Sequence, residues 1–220
     1  MLLSLVLVAF SPLKAFASTD VIAEPTLGET TDIVPFAKTN AVAGLTIYAS
    51  SDADNGSSIP STSGHAWITV SNYKSTSISV GKLSGIAQYK LISVGTWGNK
   101  SEHTGLWYGL ESKFVSQGAY SNRVSLSMDL TQAQLDTINS KIINGDSWST
   151  LNNCSSFAVD VWNSVSSVKL SAGSTIKTPT TLGDSIKSKT GYVSGLGFTH
   201  TYKVYYANGT GSPSQSTQWN

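Results

Sequence analysis

The 220-residue chain has only one cysteine, Cys154. A lone thiol excludes an internal disulfide framework and leaves three readings: an inert buried side chain, an intermolecular link or a nucleophile. Charge is also scarce. Only 12% of residues are charged, about half the usual share, and the net charge is +1. So neutral a chain has no long-range field to gather nucleic acid or anionic lipid. No segment approaches the roughly 18 consecutive apolar residues of a membrane span. There is no Gly-x-Ser-x-Gly elbow, phosphate loop or dinucleotide fingerprint. The histidines form no HxxxH pair, and Asp129, Asp136, Asp146 and Asp160 share no metal-ligand spacing. No metal and no cofactor is expected.

What is present points to a globular, exported protein. Apolar residues make up 40%, with six Trp and nine Tyr, enough for one domain with a real core. Residues 1–17 read as a signal peptide, with an apolar stretch from Leu2 to Phe10 and Ala15-Phe16-Ala17 as the cleavage site. Residues 18–43 have no period and read as a leader or propeptide-like segment. The domain itself is expected over 44–207, with a flexible tail at 208–220 rich in Gly, Ser and Gln. A secreted monomer follows as the expectation.

Strand patterns come first. They cover Leu45 to Tyr48, His65 to Val70, Ser77 to Val80, Tyr89 to Val94, Leu106 to Val115 and Arg123 to Met128. Helical signals follow. Thr131 and Gln134 form a capping box ahead of Leu135, Ile138 and Ile142. Asn152 and Asn153 are good N-caps for a helix whose apolar face holds Phe157, Ala158, Val161, Trp162 and Val165. Thr178-Pro179 starts another helix, and His200 to Ala207 returns to a strand. The implied class is α+β, an antiparallel sheet packed against a few helices.

This pattern puts Cys154 in the first turn of its helix. There the free N–H groups and the helix dipole favour a thiolate and can hold an oxyanion. A thiol nucleophile needs a base, and three histidines are available. His65 opens an apolar strand and ranks first, His200 begins the last strand, and His103 sits in a polar loop where solvation is the default.

Three segments carry a resemblance: Gly64-His65-Ala66-Trp67-Ile68, Ser93-Val94-Gly95-Thr96-Trp97, and Leu151-Asn152-Asn153-Cys154-Ser155-Ser156-Phe157-Ala158. Together they are similar to the circularly permuted NlpC-type papain-like cysteine hydrolases, related to the lecithin-retinol acyltransferase-like group. In the permuted group the histidine precedes the cysteine, as here. The resemblance implies a permuted papain-like fold, Cys154 as nucleophile, His65 as base and helix-start support from Asn153. It also implies a third polar residue orienting the histidine, for which Ser93 and Thr96 are the candidates, with Asn99 and Ser77 also in range. The implied substrate is a peptide or acyl-amide, with cell-wall peptides leading. Ser155-Ser156 replaces the Glu-His that follows the cysteine in the acyltransferase branch. Two other functions remain open on the same fold: a non-catalytic glycan- or peptide-binding module, and a thiol acyltransferase.

Overall fold

The computed structural model describes residues 40–52 and 64–220. The expected signal peptide, nearly all of the leader and most of the Ser50–Ser63 loop lie outside the described residues. In chain order the elements are β1 (Ala43–Ser50), β2 (His65–Asn72), β3 (Ile78–Val80), β4 (Leu83–Ile86), β5 (Leu91–Trp97), β6 (Gly105–Tyr108) and α1 (Leu110–Ser116). Then come β7 (Val124–Leu130), α2 (Gln132–Ile143), α3 (Cys154–Val165), α4 (Pro179–Lys187), β8 (Val193–Ser194), β9 (Tyr205–Tyr206) and β10 (Ser214–Gln215). The fold is mixed α+β. Eight strands form one sheet in the order β10-β9-β6-β5-β2-β1-β7-β8, and every pairing is antiparallel. β3 and β4 make a separate hairpin.

The period-2 alternation of β1 and β2 divides two cores. Leu45, Ile47 and Ala49 of β1, with Ala66, Ile68 and Val70 of β2, face helices α2, α3 and α4. On this side α3 buries Phe157, Ala158, Val161 and Trp162, and each of the larger side chains stabilises the packing by about 1.5–3 kcal/mol. Tyr48 and Trp67 face the other side, where they cluster with Trp97 and Trp107 and with Leu110 and Phe114 of α1. The same pleat therefore sends His65 toward the aromatic side and Ala66 toward the helical side.

One local feature places the site. The ladder between β2 and β5 runs from Ser71–Leu91 to Ile68–Val94, while β2 continues to His65 alongside β1 and β5 continues to Trp97 alongside β6. The two strands part over His65, Ala66 and Trp67, so backbone groups there are available to partners outside the sheet.

Three segments differ from expectation. His200 to Ala207 is not one strand, since only Tyr205 and Tyr206 pair, as β9, and His200 lies outside it. Leu106 to Val115 is not one strand: β6 ends at Tyr108, Gly109 takes a left-handed φ of 79°, and the chain restarts as α1. A positive φ suits glycine and ends strand geometry at that residue. The tail beyond residue 208 is also held. β10 pairs with β9, and the Glu102 carboxyl accepts from the Ser216 and Thr217 hydroxyls and from the Thr217 and Gln218 N–H groups. Trp219 then packs edge-on against Phe114 at 5.1 Å. Among the described residues, no helix is long and apolar enough to cross a membrane.

Candidate active site

α3 begins at Cys154 because Asn153 caps it. The Asn153 Oδ1 accepts from Ser155 N at 3.0 Å and Ser156 N at 3.2 Å. The cap takes the second and third N–H groups of the helix and does not use that of Cys154. Asn153 Nδ2 donates to Thr150 O and Lys177 O, fastening the helix start to the chain that enters α4. The expected helix-support role therefore has a definite geometry, and it holds Cys154 at the first helical position.

Cys154 is partly exposed. Its sulfur pairs with the His65 ring and accepts from the backbone N–H of Ala66, in the gap where β2 leaves β5. Burial opposes the thiolate. The His65 charge, its hydrogen bond and the Ala66 N–H outweigh burial and bring the thiol below its ordinary value. The Ser155 hydroxyl lies beside the sulfur but has no aligned hydrogen-bond partner among the described residues.

His65 is 4% exposed. Burial disfavours its charged form, yet the Cys154 thiolate and the Glu111 carboxyl raise its pKa to about 9. Its Nε2 lies 3.1 Å from Glu111 Oε1, which leaves Nδ1 for Cys154. The ring also rests on Trp97, with centroids 3.9 Å apart.

Glu111 is the site residue that sequence reasoning missed. It is fully buried on α1, and its Oε1 accepts from Trp97 Nε1 at 2.8 Å as well as facing His65. Its Oε2 has no hydrogen-bond partner among the described residues. The turn at Gly109 aims it. Gly109 N donates to Ser93 O, and Ser112 N donates to Ser93 Oγ at 3.1 Å, which pins the first turn of α1 to β5. Ser93 thus positions the helix and does not touch the ring. The buried Thr96 hydroxyl has no hydrogen-bond partner among the described residues. The partner of the imidazole is a carboxyl from α1, two elements beyond the neighbouring strand β5, and a Leu-Glu-Ser-Lys stretch read as strand gave no signal of it.

Gly95 makes room for this contact. A Cβ there would overlap Glu111 Oε1 and stand 3.2 Å from His65 Nε2. Gly95→Ala should therefore push the carboxyl off the ring. The expected result is at least about a tenfold loss in the rate at which a small electrophile labels Cys154 at pH 6, with the far-ultraviolet circular dichroism retained.

The other histidines lie elsewhere. His103 Nε2 is 2.7 Å from Asp146 Oδ1, which also accepts from Leu106 N, and so ties two loops together. His200 Nδ1 is 3.1 Å from Ser112 Oγ; burial and then the Lys113 charge lower its pKa. Comparison with protein families, curated proteins and solved structures finds no significant match. Among the described residues, no group of three His, Cys, Asp or Glu side chains could hold a metal ion.

Proposed function

We propose that this protein is a secreted cysteine hydrolase of the amidase or peptidase type, built on a permuted papain-like arrangement. The observation that carries the proposal is the relay Cys154–His65–Glu111, in which a helix-start thiol meets a buried imidazole oriented by a buried carboxyl. The thiolate attacks the amide carbonyl carbon, and the carbonyl electron pair moves to oxygen. The N–H of Cys154, left out of the Asn153 cap, is the helix-start donor assigned to that oxyanion. Collapse breaks the C–N bond, and the imidazolium of His65 gives its proton to the departing amine. Water then adds to the thioester, His65 taking its proton, and the acid is released with the thiol restored.

The resemblance of the Gly64–Ile68 and Leu151–Ala158 segments to permuted NlpC-type enzymes makes the peptide stems of bacterial cell wall the first substrates to offer. The test is to incubate the full chain with purified wall stem peptides and follow new amino groups by mass spectrometry. Hydrolysis together with labelling of Cys154 supports the proposal. A chain that neither hydrolyses these or simple peptide amides nor reacts with an electrophile is a non-catalytic binding fold. Transfer of the acyl group to an added amine in preference to water identifies an acyltransferase.

The pKa directions predict how the two steps separate with pH. Because the Cys154 pKa is lowered, iodoacetamide should label it below the ordinary thiol range. Because the His65 pKa is raised to about 9, the imidazolium is present below that pH and lost above it. Hydrolysis should therefore fall as pH rises through about 9 while labelling persists, since the thiolate survives but the acid does not. Labelling that begins only above about pH 8.5, the value of an unperturbed thiol, would count against the pair.

A further inference from the structure

A cavity of about 260 Å³ lies on the same sheet face as His65, toward the other end of β1 and β2. Its floor is the sheet, where Thr46, Thr69, Ser71 and Ser127 contribute hydroxyls from three strands. Its roof is the segment from Gly191 to Thr201, including Phe198, and Tyr89 and Lys90 stand among its walls. It is separate from the thiol site. Tyr48 stacks on Trp67 with centroids 5.1 Å apart, and Trp67 stacks on His65 at 5.8 Å, so two buried rings stand between.

The chemistry of the lining selects a class of guest. A covered sheet face is ordinarily apolar, as it is around Trp67 and Trp97 on this same side. Here the segment stands beside a row of hydroxyls that runs from buried Thr69 through half-buried Thr46 and Ser71 to exposed Ser127. Thr46 Oγ1 and Ser127 Oγ share a hydrogen bond of 2.8 Å, and Thr69 bonds the Tyr48 hydroxyl. Each hydroxyl has one donor and two acceptor positions, so these pairs keep capacity for a ligand. Among the described residues, no carboxylate lines the cavity and Lys90 is the one cation that does. The volume is slightly below the range of about 300–1,000 Å³ for small-molecule pockets, which suits one compact ring system better than a chain.

Tyr89 supplies an independent observation. Its φ is 58°, a left-handed conformation that disfavours a bulky side chain, and the residue is 57% exposed. The turn that holds it is well bonded: Tyr89 N donates to Asn72 O at 2.8 Å, and Ala87 N donates to the Tyr202 hydroxyl at 2.7 Å. Glycine would suit this backbone better, and burial gives the ring little. A strained backbone that displays an exposed aromatic beside a hydroxyl-lined cavity is fitted to a contact from outside.

We infer that this cavity binds a neutral saccharide, one sugar ring hydrogen-bonding the Thr46–Thr69–Ser71–Ser127 floor and presenting a ring face to Tyr89. The inference does not depend on Cys154 being a nucleophile. The test is calorimetric titration of the full chain with cellotriose, chitotriose and maltotriose up to ~10 mM, well above the ~1 mM that marks weak binding. At least one should bind, and Cys154→Ala should bind it equally well. Tyr89→Gly should weaken binding roughly three- to tenfold while leaving the melting temperature unchanged or raised, because glycine relieves the left-handed strain. The double variant Thr46→Val, Ser127→Ala should weaken binding as well.

Three outcomes overturn the inference: no sugar binds, sugar binding ignores both variants, or Tyr89→Gly melts lower and so shows the ring to be structural. Binding of a dipeptide or a fatty acid with all three sugars inert also overturns it.

Discussion

Cys154→Ala is expected to bring amide hydrolysis down to background, a loss of roughly 10⁴-fold or more, because no other group in the relay can form the acyl intermediate. The variant should fold normally, since Cys154 sits partly exposed at the helix start and Asn153 still caps α3. A second readout separates this from a trivial defect. The thiolate leads the influences that hold the His65 pKa up at about 9, while burial works against them. Once the sulfur is gone, the His65 ring should titrate at a distinctly lower pH in NMR spectra, with only Glu111 left to oppose burial. Hydrolysis that survives in this variant, or a His65 titration that does not move, would remove the thiol from the chemistry.

Glu111→Gln carries the second large effect, an expected loss of roughly 10²–10⁴ in turnover with little change in overall fold. The carboxyl oxygen that accepts from Trp97 Nε1 and His65 Nε2 would become one end of an amide. If the amide oxygen stays with Trp97, its NH₂ can turn toward the ring and favour the tautomer with an unprotonated Nε2. The proton then sits on Nδ1, the nitrogen that must receive the Cys154 proton, and the base is blocked. The alkaline limb of the pH profile should move below about 9 in this variant, because a neutral amide no longer supports the imidazolium. A loss of activity with an unmoved alkaline limb would assign Glu111 a purely structural role. Trp97→Phe should shift that limb less, since it removes one donor to the carboxyl and leaves the carboxyl itself.

Local rules in the chain made much of this architecture legible. The Thr131–Gln134 capping box starts α2, Thr178-Pro179 starts α4, and the Asn-Cys junction starts α3 with Cys154 as its first residue. The short apolar run His65 to Val70 marked β2, and the pleat of that strand sends His65 and Ala66 to opposite faces. The parts that could not be read depend on distant contacts. Leu106 to Val115 has the apolar density of a strand, and only the left-handed turn at Gly109 changes it into β6 followed by α1. Without α1, Glu111 has no route to His65, and Ser93 and Thr96 in the adjacent strand are the polar side chains that the sequence offers. The tail has the composition of a frayed end. Its order comes from Glu102, more than a hundred residues earlier, and from the Trp219–Phe114 contact. Composition reports what a segment can do alone, and here the partner decided.

The parting of β2 from β5 has a consequence for how this site tolerates change. The sulfur's donor is the main-chain N–H of Ala66, and its base is the side chain of the residue just before it. Of the possible replacements at position 66 only proline deletes the backbone N–H, so a small side chain there leaves that half of the arrangement in place. It is fully sensitive to length. Adding or removing one residue within β2 would turn His65 to the helical face and move the N–H away in the same step. The dipeptide His65-Ala66 therefore works as a single gauge: point mutation can degrade its histidine, but a one-residue insertion or deletion in the strand would disable both functions together.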